Sequence, residues 1–513
     1  MRWLALLILT PTSAVHAQSE GTSAPPPAAD EDATPPPGEP AATTGDQLMR
    51  SFYKGDLGSP GAPELVAPGD AIFVGLGYYN LGGLLGQHYA RLEPAVDFHL
   101  DVLGGKELTL RFAAPINILL FDRDSTADNH GLGTFRKEDY DEVGDFFKVI
   151  RSIQLGRKEE RVYAHMGQLY GVSIGHGTVV RRYNANLDAD RTRLGVQLDA
   201  YNDYGGFETF IADLAMQSRV MGGLAFIKPL FFLDSSVAQS LSIGVHYTAD
   251  LNAPESLESD GVRVAVDDAG YPDFDSTTLG VYGVDMEIKP IRIGNAFDLK
   301  VYGDFSQIQD AGKGVSFGLL LRSNLGARPF LNALRVRVEG RRHDSNFFPH
   351  YFDSMYEVTR IQAAPGSGLL FTKYAAVTGA DPDPQRTSIY GEATYALVDN
   401  LVFGAALERT QGDVPFYNVL LHLEVPAFEI LRVYASYEKL GVAELGDTFK
   451  LAANGRSFEA NAILFAQARL MLLPFLFVSG ALRQSYHFDE FVGYLPELDF
   501  LAKVEVGWEF DNE

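Results

Sequence analysis

Residues 297–305 read FDLKVYGDF, and apolar and polar side chains alternate along this stretch. One face would carry Phe297, Leu299, Val301, Gly303 and Phe305, and the other Asp298, Lys300, Tyr302 and Asp304. The same alternation recurs in residues 334–341 and 498–510. Because successive side chains of a strand point to opposite faces, the pattern predicts strands with one apolar and one polar face.

The connections between the predicted strands are sorted by length. From about residue 70 onward the chain reads as strands of roughly 9–12 residues, and its four longest gaps all follow odd-numbered strands. These gaps are Asp122–Asp145, Tyr170–Asp190, Leu251–Asp275 and His343–Pro384. Connections after even-numbered strands are mostly short, as at Leu103–Lys106 and Asn202–Gly205. A transmembrane β-barrel has short periplasmic turns and long outer loops, whereas a soluble β-protein has little reason to sort its loops.

We therefore expect an all-β fold, a transmembrane antiparallel up-and-down β-barrel of about 18–20 strands formed by residues 70–513. The strand number should be even, with the N- and C-termini in the periplasm. The apolar face should meet lipid, since a charge there costs roughly 2–4 kcal/mol at mid-bilayer. Strand side chains cannot fill so wide a lumen. It is either an open pore or narrowed by a plug or an inward-folded loop, for which Tyr170–Asp190 and His343–Pro384 are the candidates.

The first 69 residues differ from the rest of the chain. Residues 1–17 have the features of a secretory signal peptide, with Arg2, a short apolar core and a small-x-small sequence at residues 15–17. Residues 18–48 are rich in Pro, Ala and acidic residues and are predicted to be a disordered periplasmic linker. Residues 49–69 form a transition segment broken by Gly and Pro. The chain has no cysteine, so its stability must come from backbone pairing and packing.

The chain is strongly acidic. Its formal net charge is −25 at pH 7, which argues against a nucleic-acid-binding protein. Part of the acidity lies outside the predicted strands, in residues 18–46 and 251–275. Acidic outer loops would suit contact with divalent cations or lipopolysaccharide. The alternative is that their charge only keeps the loops solvated.

The last predicted strand ends in residues 503–510, KVEVGWEF. It resembles the terminal strand of bacterial outer-membrane β-barrels, in which apolar residues alternate and an aromatic residue comes last. The resemblance is carried by Val504, Val506, Gly507, Trp508 and Phe510, and the tail Asp511–Glu513 departs from it. It implies a porin-like protein of no particular subgroup, embedded in outer-membrane lipid and lipopolysaccharide. It also implies that the barrel-assembly machinery reads this strand as its signal.

The segment Ser173–Tyr183, SIGHGTVVRRY, is the densest unusual stretch and lies in or beside a long connection. Folded inward, its His176, Arg181 and Arg182 could form a constriction that selects anions, as charged rings do in pores. The further candidates for pore-lining or constriction residues are Arg191, Arg193, Arg335, Arg337, Glu339 and Arg341. The alternative is that these arginines pair with lumenal carboxylates, as Glu339 suggests.

Motifs for catalysis or metal binding are weak. Asp97 and His99 share one strand face, but no second acidic pair accompanies them. Residues 122–128, DRDSTAD, are similar to part of a calcium loop but lack its glycine at the sixth position and its glutamate at the twelfth. The sequence has no serine-nucleophile motif, P-loop or zinc-ligand spacing, so we expect neither an enzyme nor a cofactor or metal site.

The sequence thus predicts an outer-membrane channel that lets hydrophilic solutes pass through a polar lumen, with some preference for anions. Two alternatives stay open. One is a conduit that exports a polymer such as a polysaccharide. The other is a structural barrel with a plugged pore that anchors the envelope and meets a periplasmic partner through residues 18–45; without such a partner those residues are a plain tether.

Overall fold

A computed structural model describes residues 70–510 of the chain apart from short gaps. The gaps are residues 84–85, 103–105, 124–130, 137–138, 141–142, 157, 159, 216–217, 259–262, 268–270, 295, 329–330, 364–369, 398–400, 413–414, 426–429 and 453–456. The predicted signal peptide, linker and transition segment, most of the calcium-like run and the tail Asp511–Glu513 lie outside the described residues.

The described residues contain 23 strands and three short α-helices. The strands are β1 Asp70–Leu81, β2 Gln87–Val102, β3 Lys106–Ala113, β4 Ile116–Asp122, β5 Ile150–Leu155, β6 Val162–Gly167, β7 Gly195–Asn202, β8 Gly205–Ile211, β9 Val220–Ile227, β10 Ser242–Leu257, β11 Phe274–Ile293, β12 Phe297–Ile308, β13 Lys313–Arg328, β14 Leu331–His343, β15 Ile361–Ala363, β16 Leu370–Thr372, β17 Arg386–Leu397, β18 Leu401–Gln411, β19 Phe416–Val425, β20 Leu431–Val442, β21 Ala462–Leu473, β22 Leu476–Asp489 and β23 Gly493–Phe510. The helices are α1 Ser236–Gln239, α2 Tyr356–Thr359 and α3 Lys373–Thr378, and 3-10 turns cover Val143–Val149 and Leu445–Asp447. Among the described residues, no helix has the length and apolar character needed to cross a membrane.

The main sheet closes on itself with antiparallel neighbours throughout. β1 pairs with β23 from Asp70 opposite Phe510 to Asn80 opposite Phe500. β3 and β4 both pair with β2 and are two parts of one interrupted strand. β15 and β16 pair only with each other, inside a connection. The described sheet is therefore a barrel of 20 strands, an even number within the predicted range.

The two faces of the barrel strands are reversed relative to those of a soluble protein. On β12 the polar residues Asp298, Lys300 and Asp304 are buried, while the apolar residues between them are partly exposed. On the neighbouring strands β11 and β13, Val284 and Phe317 are 50% and 60% exposed. The charged side chains face the lumen, and the exposed apolar side chains form the outer belt that meets lipid. The predicted fold class, a transmembrane β-barrel, is confirmed.

The long connections lie at one rim, opposite the rim where β1 starts and β23 ends. They are residues 123–149, 168–194, 258–273, 344–385 and 443–461. The last of these was not among the predicted gaps, and the predicted gap Leu251–Asp275 is shorter because β10 and β11 extend into it. At the other rim the turns are short except for residues 228–241, which contain α1.

β23 is the predicted terminal strand. Val504, Val506, Trp508 and Phe510 lie on its outer face and are 45–57% exposed. Gly507 alternates with them and lies opposite Phe73 of β1. A Cβ atom at Gly507 would lie 2.0 Å from the Ile72 carbonyl oxygen, so only glycine permits this close approach. The reading of this strand by the assembly machinery stays a prediction.

Candidate functional site: a lumenal cavity beside an inward-folded plug

Two long connections fold into the lumen and pack against each other. Residues 168–194 turn back on themselves, and residues 344–385 lie beside them. The Phe352 N–H donates to the Val179 carbonyl and the Arg181 N–H donates to the Phe352 carbonyl, each over 3.1 Å. We call the described parts of these two connections the plug. The sequence offered the two connections as alternatives, and the structure folds both of them inward.

Glycines allow the first connection to reverse inside the lumen. Gly171, Gly175 and Gly177 have φ values between +56° and +74°. Residues with a side chain rarely adopt this region, whereas glycine enters it at little cost. The turns place Ser173–Tyr183, the segment singled out in the sequence, between the rest of the plug and the barrel wall.

An apolar core holds the plug against one side of the barrel. Its plug members are Leu169, Val172, Ile174, Val179, Val180, Tyr183, Ala185, Phe347, Tyr351, Phe352, Tyr356 and Val377. Its wall members come from β7 to β12 and include Phe210, Leu224 and Val281. Full burial of a large apolar side chain contributes about 1.5–3 kcal/mol relative to exposure, so a core of this size fixes the plug in place.

A buried ion cluster joins the plug to β14 and β17. Glu392 of β17 accepts hydrogen bonds from Arg181 over 2.7 Å and from Arg182 over 3.0 Å, both in the plug. Arg335 of β14 also donates to Glu392. We call these four residues the junction cluster. Their side chains are only 1–4% exposed, so they lie sealed between plug and wall.

The neighbouring candidates on β14 are paired in the same way. Glu339 accepts from Arg337 over 2.9 Å and from Arg341, and Arg337 also donates to the carbonyl of His176 in the plug. The His176 Nε2 lies 3.5 Å from an Asp285 carboxylate oxygen. Burial lowers the pKa of His176 well below its usual range, so this ring adds no positive charge near neutral pH.

The two remaining candidates lie elsewhere in the plug. The Arg193 Nη1 is 3.2 Å from a carboxylate oxygen of Glu357 and is buried with it. The Arg191 Nη1 is 3.4 Å from a carboxylate oxygen of Asp188, and both residues line the cavity described next. Seven of the nine predicted residues thus lie in the buried clusters between plug and wall, Arg193 lies between the two connections of the plug, and Arg191 lines the cavity with its side chain 8% exposed. That the nine set selectivity stays a prediction.

Beside the plug the lumen keeps a cavity of about 350 Å³. Its wall comes from strands β1, β2, β3, β5, β6, β21, β22 and β23, from the plug, and from the connection 123–149. Its basic lining residues are Arg91, Arg111, Arg136, Lys148, Arg151, Arg191, Arg483 and Lys503, and its acidic ones are Glu93, Asp97, Asp139, Asp188 and Asp499.

Cations outnumber carboxylates in this cavity by eight to five. On its wall Glu93 lies 2.7 Å from the Nζ of Lys503 and 3.8 Å from a guanidinium nitrogen each of Arg91 and Arg151. We call these four residues the cavity cluster. Glu93 contacts three cations, of which Lys503 also lies 2.7 Å from a carboxylate oxygen of Glu505, and the side chains of Arg91 and Arg151 are 15% and 20% exposed. Positive charge is therefore in excess where the lumen is accessible.

Asp188 adds a pH-dependent contribution. Burial raises the pKa of this carboxyl, although Arg191 lies beside it. One of the five acidic groups therefore loses its charge at milder acidity than an ordinary aspartate. Among the described residues, no group of three or more His, Asp or Glu side chains could hold a metal ion.

Most residues that line the cavity were not among the sequence-based candidates, although the sequence indicates which face of the strand some of them lie on. Arg91, Arg111 and Lys503 each alternate with apolar residues in their strands, which places them on the lumenal face. What the sequence does not provide is the register between strands, which brings these residues together from both ends of the chain. Asp97, considered for catalysis, lines the same cavity, and His99 lies 3.6 Å from a carboxylate oxygen of Asp70.

The closed 20-strand sheet, the apolar outer belt and the charged interior define an outer-membrane β-barrel. No protein-family model and no curated protein matches the chain. Among solved structures, a variant of the ferric enterobactin receptor PfeA of Pseudomonas aeruginosa aligns over 87% of this chain and 81% of its own, with 10% identity and a TM-score of 0.36. OccK11 (OpdR) of the same organism aligns over 86% of this chain and 96% of its own, with 10% identity and a TM-score of 0.31. The siderophore receptor PirA of Acinetobacter baumannii aligns over 86% and 81%, with 8% identity and a TM-score of 0.32.

TM-scores this low carry no conclusion about the function of this chain. Its assignment as a barrel depends on its own strand pairing and on its two faces.

Proposed function

We propose that the protein is an outer-membrane channel that passes small hydrophilic solutes on the cavity side of the plug and favours anions. The observation that supports this most is the charge of the cavity lining. Eight Arg and Lys side chains face five Asp and Glu side chains there, in a chain whose net charge is −25. A lining with the average composition of this acidic chain would carry more negative than positive charge. The excess of positive charge is therefore specific to the cavity.

The mechanism is passive diffusion through a positive field. Lumenal cations on β2, β3, β5, β22 and β23 lie along adjoining parts of the cavity wall, since only β1 separates β2 from β23. An anion that enters the cavity loses part of its hydration shell and gains contacts with these Arg and Lys side chains. Because the cations are also held by shared carboxylates such as Glu93, each contact with the anion is weak enough for it to leave again.

The plug sets the cross-section of this pathway. Its apolar core fills the β7–β12 side of the lumen and leaves the cavity side accessible. A cavity of about 350 Å³ suits small solutes. A conduit for a polymer needs a wide continuous lumen, so the plug disfavours that alternative.

Planar-bilayer recording tests the channel and its selectivity. The reversal potential in a KCl gradient should show chloride preference, and Arg91→Gln should reduce that preference because it removes an accessible cavity charge. The matched control is Arg263→Gln, which removes the same charge from an exposed position in the connection 258–273 and should leave the reversal potential unchanged. Cation preference in the unmodified protein would overturn the proposal.

The plug itself supports a second candidate, a closed barrel with a structural role. Its buried apolar core and its buried ion pairs hold it in place against the barrel wall. This candidate predicts a folded, membrane-inserted protein that gives no current under the same conditions.

We also propose that the rim with short turns, where β1 starts and β23 ends, faces the periplasm. Short periplasmic turns and long outer loops support this orientation. Because the chain has no cysteine, single-cysteine variants report it cleanly. In intact cells an impermeant maleimide should label Asp267→Cys, in a long connection, and not Asp234→Cys, at the opposite rim. The reverse labelling would contradict the orientation.

A further inference from the structure

One apolar residue interrupts a series of charged residues in the lumen. The lumen-facing residues of β23 include Asp499, Lys503, Glu505 and Glu509, and these form ion pairs with residues of β2, β21 and β22. Leu501 lies in the same series, between Asp499 and Lys503, and it lines the cavity. An apolar side chain at this position gains nothing from water or from the neighbouring charges.

The residues that the sheet register places beside Leu501 enlarge this apolar surface. Leu501 is paired with Ala481 of β22 on one side and with Tyr79 of β1 on the other. Side chains of directly paired residues lie about 4.5–5.5 Å apart at Cβ and contact each other. All three residues line the cavity, so they form a continuous patch on its wall, which we call the apolar shelf.

Cations border the apolar shelf. The guanidinium carbon of Arg91 lies 4.1 Å from the centre of the Tyr79 ring. On β22, Arg483 lies two residues beyond Ala481 and is therefore on the same face; its side chain is 33% exposed. A solute on the shelf would thus have apolar contacts beneath it and a guanidinium group at its edge.

We propose that the cavity contains a subsite for an organic anion with an apolar body, such as an aromatic or branched aliphatic carboxylate. Its carboxylate would bind at Arg91, and its body would lie on the apolar shelf. The inference depends on the proposed function for its biological meaning and deepens it by naming the solute class. An inorganic anion gains from the cations alone, whereas an apolar body also removes the shelf from water.

Equilibrium binding tests the subsite without relying on current. NMR titrations of the full-length protein in detergent would compare benzoate, acetate and inorganic phosphate as probes. Benzoate should bind more tightly than acetate. Leu501→Asn should weaken benzoate binding about fivefold, because it removes apolar contact, and should leave acetate binding unchanged. Leu501→Met, which keeps an apolar side chain of similar volume, should retain the preference for benzoate and so controls for folding.

The outcomes separate the two proposals. Equal binding of benzoate and acetate, or equal weakening of both by Leu501→Asn, overturns the subsite whatever the conductance is. Absence of current in bilayers, together with benzoate binding that depends on Leu501, overturns the channel and keeps the subsite.

Discussion

The junction cluster and the cavity cluster have the same number of acidic and basic groups but different surroundings. Each is one buried glutamate among three cations, Glu392 in the first and Glu93 in the second. In the junction cluster the arginine side chains are 1–4% exposed and are enclosed by the plug. In the cavity cluster Arg91 and Arg151 are 15% and 20% exposed to the lumen.

The difference shows that the number of arginines in a barrel does not determine what a solute meets. The position of the plug does, because it encloses one cluster and leaves the other accessible. A sealed cluster contributes to the attachment of the plug, and an accessible cluster contributes to the field of the pathway. Substitutions in the two clusters should therefore affect different properties.

The largest expected effect is on stability, at the junction cluster. Glu392→Ala leaves three arginines buried without their shared carboxylate, and breaking a buried ion pair from one side costs about 3–5 kcal/mol. Urea unfolding of the protein in lipid vesicles measures this loss. The control is Glu424→Ala on β19, a partly exposed carboxylate beside His422, which should cost about 1 kcal/mol or less. Equal losses in the two variants would contradict a structural role for the junction cluster.

A smaller effect should appear when the pH is lowered, at the cavity. Because burial raises the pKa of Asp188, this group takes up a proton at milder acidity than an ordinary aspartate, and the cavity then becomes more positive. Chloride preference should rise as the pH falls from neutral, and Asp188→Asn should remove that step. Reversal potentials measured across pH in the unmodified protein and in the variant report it. A pH response of the same size in both would exclude Asp188 as its source.

The ionisation of Asp188 should also make the stability of the fold depend on pH. The folded-state pKa of Asp188 lies above that of the unfolded chain, so its contribution favours the fold below the unfolded pKa and is lost as the pH rises through the folded pKa.

The fold could be predicted because its signals are local. Alternation with period two in residues 297–305 determines which side chains face lipid, and the length of each connection is visible directly in the sequence. The strand number was predicted within the correct range. The connection 443–461 was missed, because the sequence on either side of it alternates less clearly.

The site could be predicted only in part, since it depends on register and on the direction in which loops fold. Arg181 and Arg182 were noticeable as neighbours in the sequence, yet their partner Glu392 lies about two hundred residues away and is brought to them by β14 and β17. Conversely, Arg91 and Lys503 look like ordinary lumenal residues on strands at opposite ends of the chain. They meet because β1, which lies between β2 and β23, closes the barrel.

The most direct test of this account compares one arginine from each cluster in the same bilayer experiment. Arg91→Gln should reduce the preference for chloride over potassium and lower the unfolding midpoint less than Arg181→Gln does. Arg181→Gln should lower the unfolding midpoint and, in the fraction that folds, leave the ion preference unchanged. If Arg181→Gln changes the ion preference and Arg91→Gln does not, the pathway does not lie on the cavity side of the plug.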